Sequence, residues 1–148
     1  MIFLKKYFEY PIAFTVGGAL YSIIEVLWRG RTHWTMAIAG GICFVLMHYI
    51  DKNCCDISLA VRCFVCAIVI CTVEFAFGFA VNMVLGWNVW DYSGRWLNLY
   101  GQICPLYALL WFLIGIPGNI ISKKLGGFFS DRAVDESEKG LIDDKERI

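Results

Sequence analysis

The sequence predicts an all-α, polytopic membrane protein whose four transmembrane helices pack as a small bundle. Hydrophobic residue types make up 59% of the 148 residues, against about 45–50% in an ordinary soluble domain, and the mean hydropathy is +0.61. Four apolar stretches approach the length of about 20 residues that a spanning helix needs. A soluble domain of this size could not bury so much apolar surface. The lipid bilayer is therefore the predicted partner. The formal net charge of zero also excludes a typical nucleic-acid binder.

The first three predicted spans lie at 11–28, 34–50 and 63–85. The first span contains one formal charge, Glu25, and the second contains none. The third span belongs to a longer apolar run that begins at Ile57 and is interrupted by Glu74. Tyrosine and tryptophan residues at the span ends are typical of the aromatic belt at a membrane surface.

The fourth predicted span lies at 99–121 and completes a transmembrane domain of residues 1–130. The stretch that contains this span starts with the polar residues Asn98 and Gln102 and includes Pro105. A proline at this place predicts a kink or a late start of the helix. We expect the segment from Gly115 to Asn119, which contains a proline and two glycines, to end or break the helix.

The last segment of the chain, 131–148, has a different composition. It carries seven acidic and four basic residues, a net charge of −3, and no aromatic residue. This pattern predicts a solvated or disordered cytoplasmic tail. A weak helix or a docking tail for a partner is the less favoured alternative.

Basic residues predict the orientation, because cytoplasmic loops of membrane proteins carry an excess of Lys and Arg. One side of the predicted bundle holds Lys5, Lys6, Lys52, Lys123, Lys124 and Arg132. The other side holds Arg29, Arg31 and Arg95. We therefore expect a multi-pass protein of the cytoplasmic membrane, with both termini in the cytoplasm and the loops at 29–33 and 86–97 facing outward.

Two spans carry a stripe of small and polar residues on one helical face. In the first span the stripe is Thr15, Gly18, Ser22, Glu25 and Arg29, at spacings of three and four residues. In the third span it is Cys71, Glu74, Gly78 and Asn82. Such stripes face other helices and not lipid. Glu25 and Arg29 are i,i+4 neighbours that can form an ion pair.

Glu74 is nearer the middle of its span, where an unpaired carboxylate is most costly. It must be paired, hydrated in a cavity or protonated. The partners that the predicted topology offers are Arg29, Arg31, His33 and Gln102.

The topology brings the unusual polar residues together in the outer half of the bundle. The predicted cluster consists of Glu25, Arg29, Arg31, His33, Glu74, Asn82, Asp91, Asn98 and Gln102. Polar groups inside a membrane bundle are functional candidates by default, so the cluster is one candidate for a substrate path. The alternative is a structural network that holds short helices together. Glycines predicted to allow close helix packing are Gly17, Gly18, Gly40, Gly41 and Gly78.

The cysteines and histidines predict neither a disulfide framework nor a metal or cofactor site. The chain has seven cysteines, an odd number, and most lie within spans. Cys63 and Cys66 form a single Cys-x-x-Cys pair that is better explained as small buried side chains. His33 and His48 lie at opposite ends of the second span, about 22 Å apart along a helix, too far to share one haem or metal. We interpret His48 as an interfacial or capping residue.

Two stretches resemble a known family. One runs from Ile24 to Met36 and continues at 40–44; the other contains Thr72-Val73-Glu74-Phe75, the block from Leu85 to Ser93, Asn98 and Gly101-Gln102-Ile103-Cys104. Together they resemble the small bacterial membrane proteins labelled "putative ABC transporter permease", the CmpB-like or "type IV" group, over about residues 17–112. The segment 94–97 departs from the family, which has a proline just before the asparagine. The resemblance implies a membrane-embedded, transport-related role and assigns no catalytic residue.

Three classes of function remain open after these observations. A transport component comes first, and its possible partners are further copies of the chain or an ATP-binding subunit. Such a subunit would be a separate chain, because this sequence contains no Gly-x-x-x-x-Gly-Lys-Ser/Thr nucleotide loop. A membrane enzyme acting on a lipid-like substrate is less favoured. Its acid–base groups would be Glu25, Glu74, Asp91 and His33. The third class is a membrane scaffold or assembly protein that uses the charged tail to bind a partner.

Overall fold

The computed structural model describes the backbone of residues 2–54 and 56–146 and the side chains of residues 8–54 and 56–130. The helices are α1 (Ile2–Arg29), α2 (Trp34–Asn53), α3 (Leu59–Gly78) and α4 (Pro105–Glu146), and a π-helical turn (Phe79–Val84) continues α3. The parts long and apolar enough to span a membrane are Phe8–Arg29, Trp34–Asn53, Leu59–Val84 and Pro105–Ser130. The predicted class, all-α with four transmembrane helices, is confirmed.

The connections alternate between the two ends of the bundle. The turn at 30–33 and the long segment at 85–104 lie at one end, which we call the loop end. The turn at 54–58 lies at the other, which we call the tail end because α4 leaves the bundle there. Local capping starts two of the helices, since side chains of His33 and Ser58 accept hydrogen bonds from the first turns of α2 and α3.

The fourth helix differs from its prediction in both its start and its length. It begins at Pro105, where a proline is favoured because the first helical N–H has no partner in any case. Residues 99–104 belong instead to the loop end, where an isolated bridge joins Leu99 to Ile103. The expected end or break between Gly115 and Asn119 is wrong, because α4 continues through Pro117.

A packed bundle satisfies groups that a proline frees, which is why a proline inside a membrane helix does not end it. The backbone of residues 131–146 also continues α4, whereas the sequence predicted a solvated or disordered extension. The side chains of that segment lie outside the described residues.

Glycines bring α1 and α2 into close contact. A Cβ atom on Gly18 would lie 2.7 Å from the carbonyl oxygen of Ala37, and one on Gly41 would lie 2.8 Å from that of Phe14. Gly17 and Gly40 lie against each other's helix in the same way. Gly78 differs from these four, because its neighbours are Gln102 and Trp90 of the loop end.

The interior contains two apolar clusters, one above the other. The cluster nearer the loop end includes Tyr21, Met36, Ile70, Trp90 and Trp111. The cluster nearer the tail end consists of Ala13, Phe44, Met47 and Cys66. This apolar layer separates polar groups at the two ends of the bundle.

Candidate functional site

Glu74 forms the deepest polar contact of the loop-end half. It is 2% exposed, and its carboxylate accepts a hydrogen bond from the Tyr21 hydroxyl (3.0 Å) and one from Trp111 Nε1 (2.8 Å). The rings of Tyr21 and Trp111 stack with centroids 5.3 Å apart. Three helices, α1, α3 and α4, therefore meet at one carboxyl group through two uncharged donors.

The partners of Glu74 are not those that the topology suggested. Among the described residues, Arg29, Arg31, His33 and Gln102 form neither an ion pair nor a hydrogen bond with it. Tyr21 and Trp111 were not predicted as partners, because only the tyrosines and tryptophans at the span ends were interpreted in the sequence. Their position near mid-span was an available signal, since a buried Tyr or Trp usually finds a partner for its polar atom.

Glu25 and Arg29 lie closer to the loop end on α1. The i,i+4 pair forms, with Arg29 Nη1 3.3 Å from Glu25 Oε1. The Thr32 hydroxyl donates to Glu25 Oε2 (2.7 Å), and Arg29 Nη2 donates to the carbonyl oxygen of Val89 (2.8 Å). The last turn of α1 is thus fastened to the segment 85–104.

Asn82 and Gln102 also connect to this segment. Asn82 sits in the π-helical turn, a kind of helix distortion that is frequent at functional sites. Its Nδ2 donates to the carbonyl oxygen of Trp90 (3.0 Å) and to Gln102 Oε1 (2.8 Å), and its Oδ1 accepts from the Val89 amide (2.7 Å). Through Val89, Arg29 of α1 and Asn82 of the α3 extension hold one strip of loop backbone.

Asp91 and Asn98 stabilise the loop from within. The Asp91 carboxylate accepts from the backbone N–H (2.8 Å) and the hydroxyl (2.9 Å) of Ser93, and these bonds, the backbone one first, lower the pKa of Asp91. Asn98 donates to the carbonyl oxygens of Ser93 and Arg95 and accepts from the Gly101 amide. Gly101 has φ +69°, and a Cβ there would lie 2.8 Å from Asp91 Oδ1, so this turn requires glycine.

The structure does not bring His33 to Glu74. Its Nδ1 lies 2.8 Å from the Thr35 hydroxyl at the start of α2, and its ring lies 5.6 Å from that of Trp34 and 5.7 Å from that of Trp87. Arg31 is exposed at the loop end. Within the predicted cluster, His33 therefore caps α2. Asn82, Asn98 and Gln102 form hydrogen bonds to the backbone of the segment 85–104.

Two adjoining cavities open at the loop end. The first, which we call the arginine crevice, has a volume of about 260 Å³ and is lined by Arg29, Arg31, Val89, Trp90, Asp91, Tyr92, Arg95 and Tyr107. The second, the aromatic pocket, has a volume of about 180 Å³, and its walls include Tyr21, Glu25, Trp28 and Trp111. Arg29, Tyr92 and Tyr107 line both. The pocket reaches the two donors of Glu74.

A second polar cluster, at the tail end, was not predicted. His48 is fully buried, with Nε2 2.9 Å from Glu9 Oε1 and Nδ1 2.8 Å from the Ser122 hydroxyl. The Ser122 hydroxyl donates to Asp51 Oδ2 (3.2 Å), and Asp51 Oδ1 lies 3.2 Å from Arg62 Nη1. Lys52 pairs with Glu9 at 2.8 Å. All four helices contribute to this tail-end cluster.

Chemically, the tail-end cluster is a chain of hydrogen bonds and ion pairs that joins side chains of all four helices. The Ser122 hydroxyl has one proton, so it can donate either to Asp51 Oδ2 or to His48 Nδ1, and the position of the hydrogen on the His48 ring decides which. The prediction missed the cluster for physical reasons. Glu9 precedes the predicted first span, His48 was interpreted as interfacial, and Ser122 follows the expected break of α4. Charged residues near several span ends at one side of the bundle were the available signal.

The described part of the chain contains no group of three His, Cys, Asp or Glu side chains arranged to hold a metal ion. Cys63 and Cys66 are both fully buried in α3. Asn119 of α4 donates to Cys63 Sγ at 3.7 Å, so the Cys-x-x-Cys pair lies at a helix contact.

Fold and site together define a small polytopic membrane protein with a polar site and two cavities at one end of a four-helix bundle. The family model described as "Putative ABC-transporter type IV" matches residues 12–126. The chain belongs to this family, which confirms the resemblance seen in the sequence. Comparison with the curated proteins and with the solved structures finds no match.

Proposed function

We propose that this protein is the membrane-embedded component of an ABC-type transport system and that its loop end forms part of the substrate path. Membership of the family supports the first half of this proposal. The observation that carries the second half is the buried Glu74 carboxyl group, held by Tyr21 and Trp111 beneath the two cavities.

A carboxyl group at this depth is costly to keep. On insertion scales an acidic residue at a helix centre costs roughly 2.5–3.5 kcal/mol. Glu74 recovers part of this through two hydrogen bonds from neutral donors, and no cation among the described residues lies within ion-pair distance of it. Packing alone would favour an apolar residue here. Acidic residues in such positions mark substrate or ion pathways.

The predicted cluster divides into two roles in this proposal. Glu25 and Arg29 follow Tyr21 on α1 by about one and two turns, and Arg31 lies in the turn beyond, so these charged groups meet a substrate first. The other predicted loop-end residues position the loop, since their side chains bond to its backbone or cap α2. These residues are His33, Asn82, Asp91, Asn98 and Gln102.

The orientation and the partners follow from the charges and the missing motif. The excess of basic residues at the tail end favours both termini in the cytoplasm and the loop end facing outward, in the cytoplasmic membrane. Since the sequence has no nucleotide-binding loop, ATP would be hydrolysed by a separate subunit that binds at the tail end. A homo-oligomer would place several loop ends around one path.

The test isolates the tagged protein from its native membrane in mild detergent and identifies the proteins that co-purify by mass spectrometry. We expect an ATP-binding subunit. We also expect its ATPase rate in proteoliposomes to fall at least about tenfold with Glu74→Gln and to stay unchanged with Thr72→Val, which removes a polar group from an exposed position of the same helix. A homo-oligomer that copurifies with no ATP-binding protein would contradict the proposal.

A further inference from the structure

The arginine crevice has positive charge that ion pairs neutralise only in part. Three arginines and one aspartate line it. Arg29 is paired with Glu25, but Arg31 and Arg95 form no ion pair with any side chain in the described part of the chain. The Asp91 carboxylate is directed to its own loop by two bonds from Ser93. Guanidinium groups in this arrangement favour a phosphate-type anion, which they can bind through paired N–H groups.

The aromatic pocket continues from the floor of the crevice. Tyr92 and Tyr107, whose rings stack with centroids 4.3 Å apart, line both cavities together with Arg29. The remaining wall is largely aromatic and aliphatic, with Ile24, Trp28, Leu110, Trp111 and Ile114. A ligand whose charged group lies in the crevice would therefore extend an apolar part into the pocket.

The depth of the two cavities matches the same kind of ligand. The spanning part of α1 ends at Arg29, and that of α4 begins at Pro105. The crevice thus lies at the level of lipid headgroups. The pocket is lined by residues of α1 and α4 below these ends, so it lies at the depth of the hydrocarbon core of the bilayer. Exposed Trp28, Trp96 and Tyr100 surround this end, as aromatic residues do at a membrane surface.

We propose that the loop end binds an amphiphilic anion, with a phosphate-type headgroup in the arginine crevice and an apolar chain in the aromatic pocket. This inference rests on the proposed function, since it names the substrate class of the same path. Arg31 and Arg95 bind the headgroup, and Leu110 contacts the chain. A phosphate on a lipid and free phosphate share the headgroup chemistry, so the experiment separates them by the chain.

The experiment titrates the purified full-length protein in nonionic detergent with dioctanoyl phosphatidate, dioctanoyl phosphatidylcholine or inorganic phosphate and measures each Kd by calorimetry. We expect phosphatidate to bind most tightly. The double variant Arg31→Gln/Arg95→Gln should weaken its binding by about tenfold or more, because two charge-assisted contacts are lost. The control Lys123→Gln/Lys124→Gln removes the same charge at the tail end and should change the Kd less than about twofold.

Two further variants keep the result interpretable. Arg31→Lys/Arg95→Lys retains the charge but loses the paired geometry, so it should bind phosphatidate with an intermediate Kd even if the glutamine variant unfolds. Leu110→Phe fills the pocket and should weaken phosphatidate binding but not phosphate binding.

Each other outcome overturns the proposal. If inorganic phosphate binds as tightly as phosphatidate and Leu110→Phe has no effect, the site takes a free anion and the apolar half is wrong. If phosphatidylcholine binds equally well, or the lysine control weakens binding as much, the crevice is not the headgroup site. These results are distinct from a failure of the transport function, which would appear as a missing ATP-binding subunit while phosphatidate binding persists.

Discussion

At the scale of single residues, the hydrogen bonds to Glu74 stabilise the interior of the loop-end half. Tyr21→Phe removes one of the two donors and leaves a buried carboxylate oxygen unpaired. We expect a loss of about 1–3 kcal/mol in the free energy of unfolding, measured by denaturant unfolding in detergent. The control is Tyr49→Phe, at a residue that is 55% exposed, and it should change the free energy of unfolding little. Equal effects of the two substitutions would contradict the role of Tyr21.

Asp91 gives the loop a dependence on pH with a defined sign. Its pKa is lowered from 3.8 because Ser93 donates to the ionised carboxylate through its backbone N–H and its hydroxyl. The contribution of this turn is therefore present above the unfolded pKa and is lost as the pH falls through the folded one. We expect the protection of the Ser93 amide from hydrogen exchange to decrease below about pH 4. In Asp91→Asn this decrease should be absent, and its persistence there would assign it to another group.

Residue by residue, the sequence predicted contacts within one helix better than contacts between helices. Glu25 and Arg29 pair because i,i+4 spacing alone brings them together. The donors of Glu74 come from α1 and α4, and no spacing along the chain encodes that meeting. It depends on how the helices rotate against each other, which the positions of Tyr21 and Trp111 within their spans only suggest.

At the scale of helices, glycines set the distance between α1 and α2. A Cβ atom on Gly40 would meet the Tyr21 side chain and would lie 3.1 Å from the Gly17 carbonyl oxygen. Gly40→Val should therefore push the helices apart and cost about 1–3 kcal/mol of unfolding free energy. Gly127→Val is the matched control on α4, because a Cβ there meets nothing within 4 Å. The measurement is thermal unfolding in detergent, and an equal fall in Tm for both variants would contradict close packing at Gly40.

The fourth helix joins the tail-end cluster through Ser122. Because Ser122→Ala leaves His48 Nδ1 and Asp51 Oδ2 without this partner, we expect it to destabilise the protein by about 1–3 kcal/mol. Ser130→Ala, at an exposed position of the same helix, should be neutral. Denaturant unfolding of the two variants compares them directly, and a neutral Ser122→Ala would show that the network contributes no net stability.

The tail-end cluster also shows where prediction of elements fails. Hydropathy predicted four spanning helices, because a long apolar run is a strong signal. It could not show that α4 passes through Pro117, since the surrounding helices, and not the local sequence, decide whether a proline ends a membrane helix. The sequence therefore could not place Ser122 inside the bundle.

At the scale of the whole molecule, two polar ends enclose an apolar layer. The loop end contains the crevice, the pocket and Glu74, and the tail end contains the His48 cluster. Between them lie Phe44, Met47 and Cys66. Under the proposed function, a substrate would enter at the arginine crevice of the loop end, and its passage to the tail end would have to cross this apolar layer.

The most direct test of this account measures access to the bundle interior from each side. In a variant whose seven cysteines are replaced by alanine, Leu110→Cys reports the aromatic pocket and Met47→Cys reports the apolar layer. We predict that a membrane-impermeant maleimide added to intact cells labels the cysteine at position 110, that phosphatidate slows this labelling, and that position 47 is labelled from neither side. Labelling of position 110 only in inverted vesicles, or equal labelling of position 47, would contradict a substrate path that opens outward at the loop end.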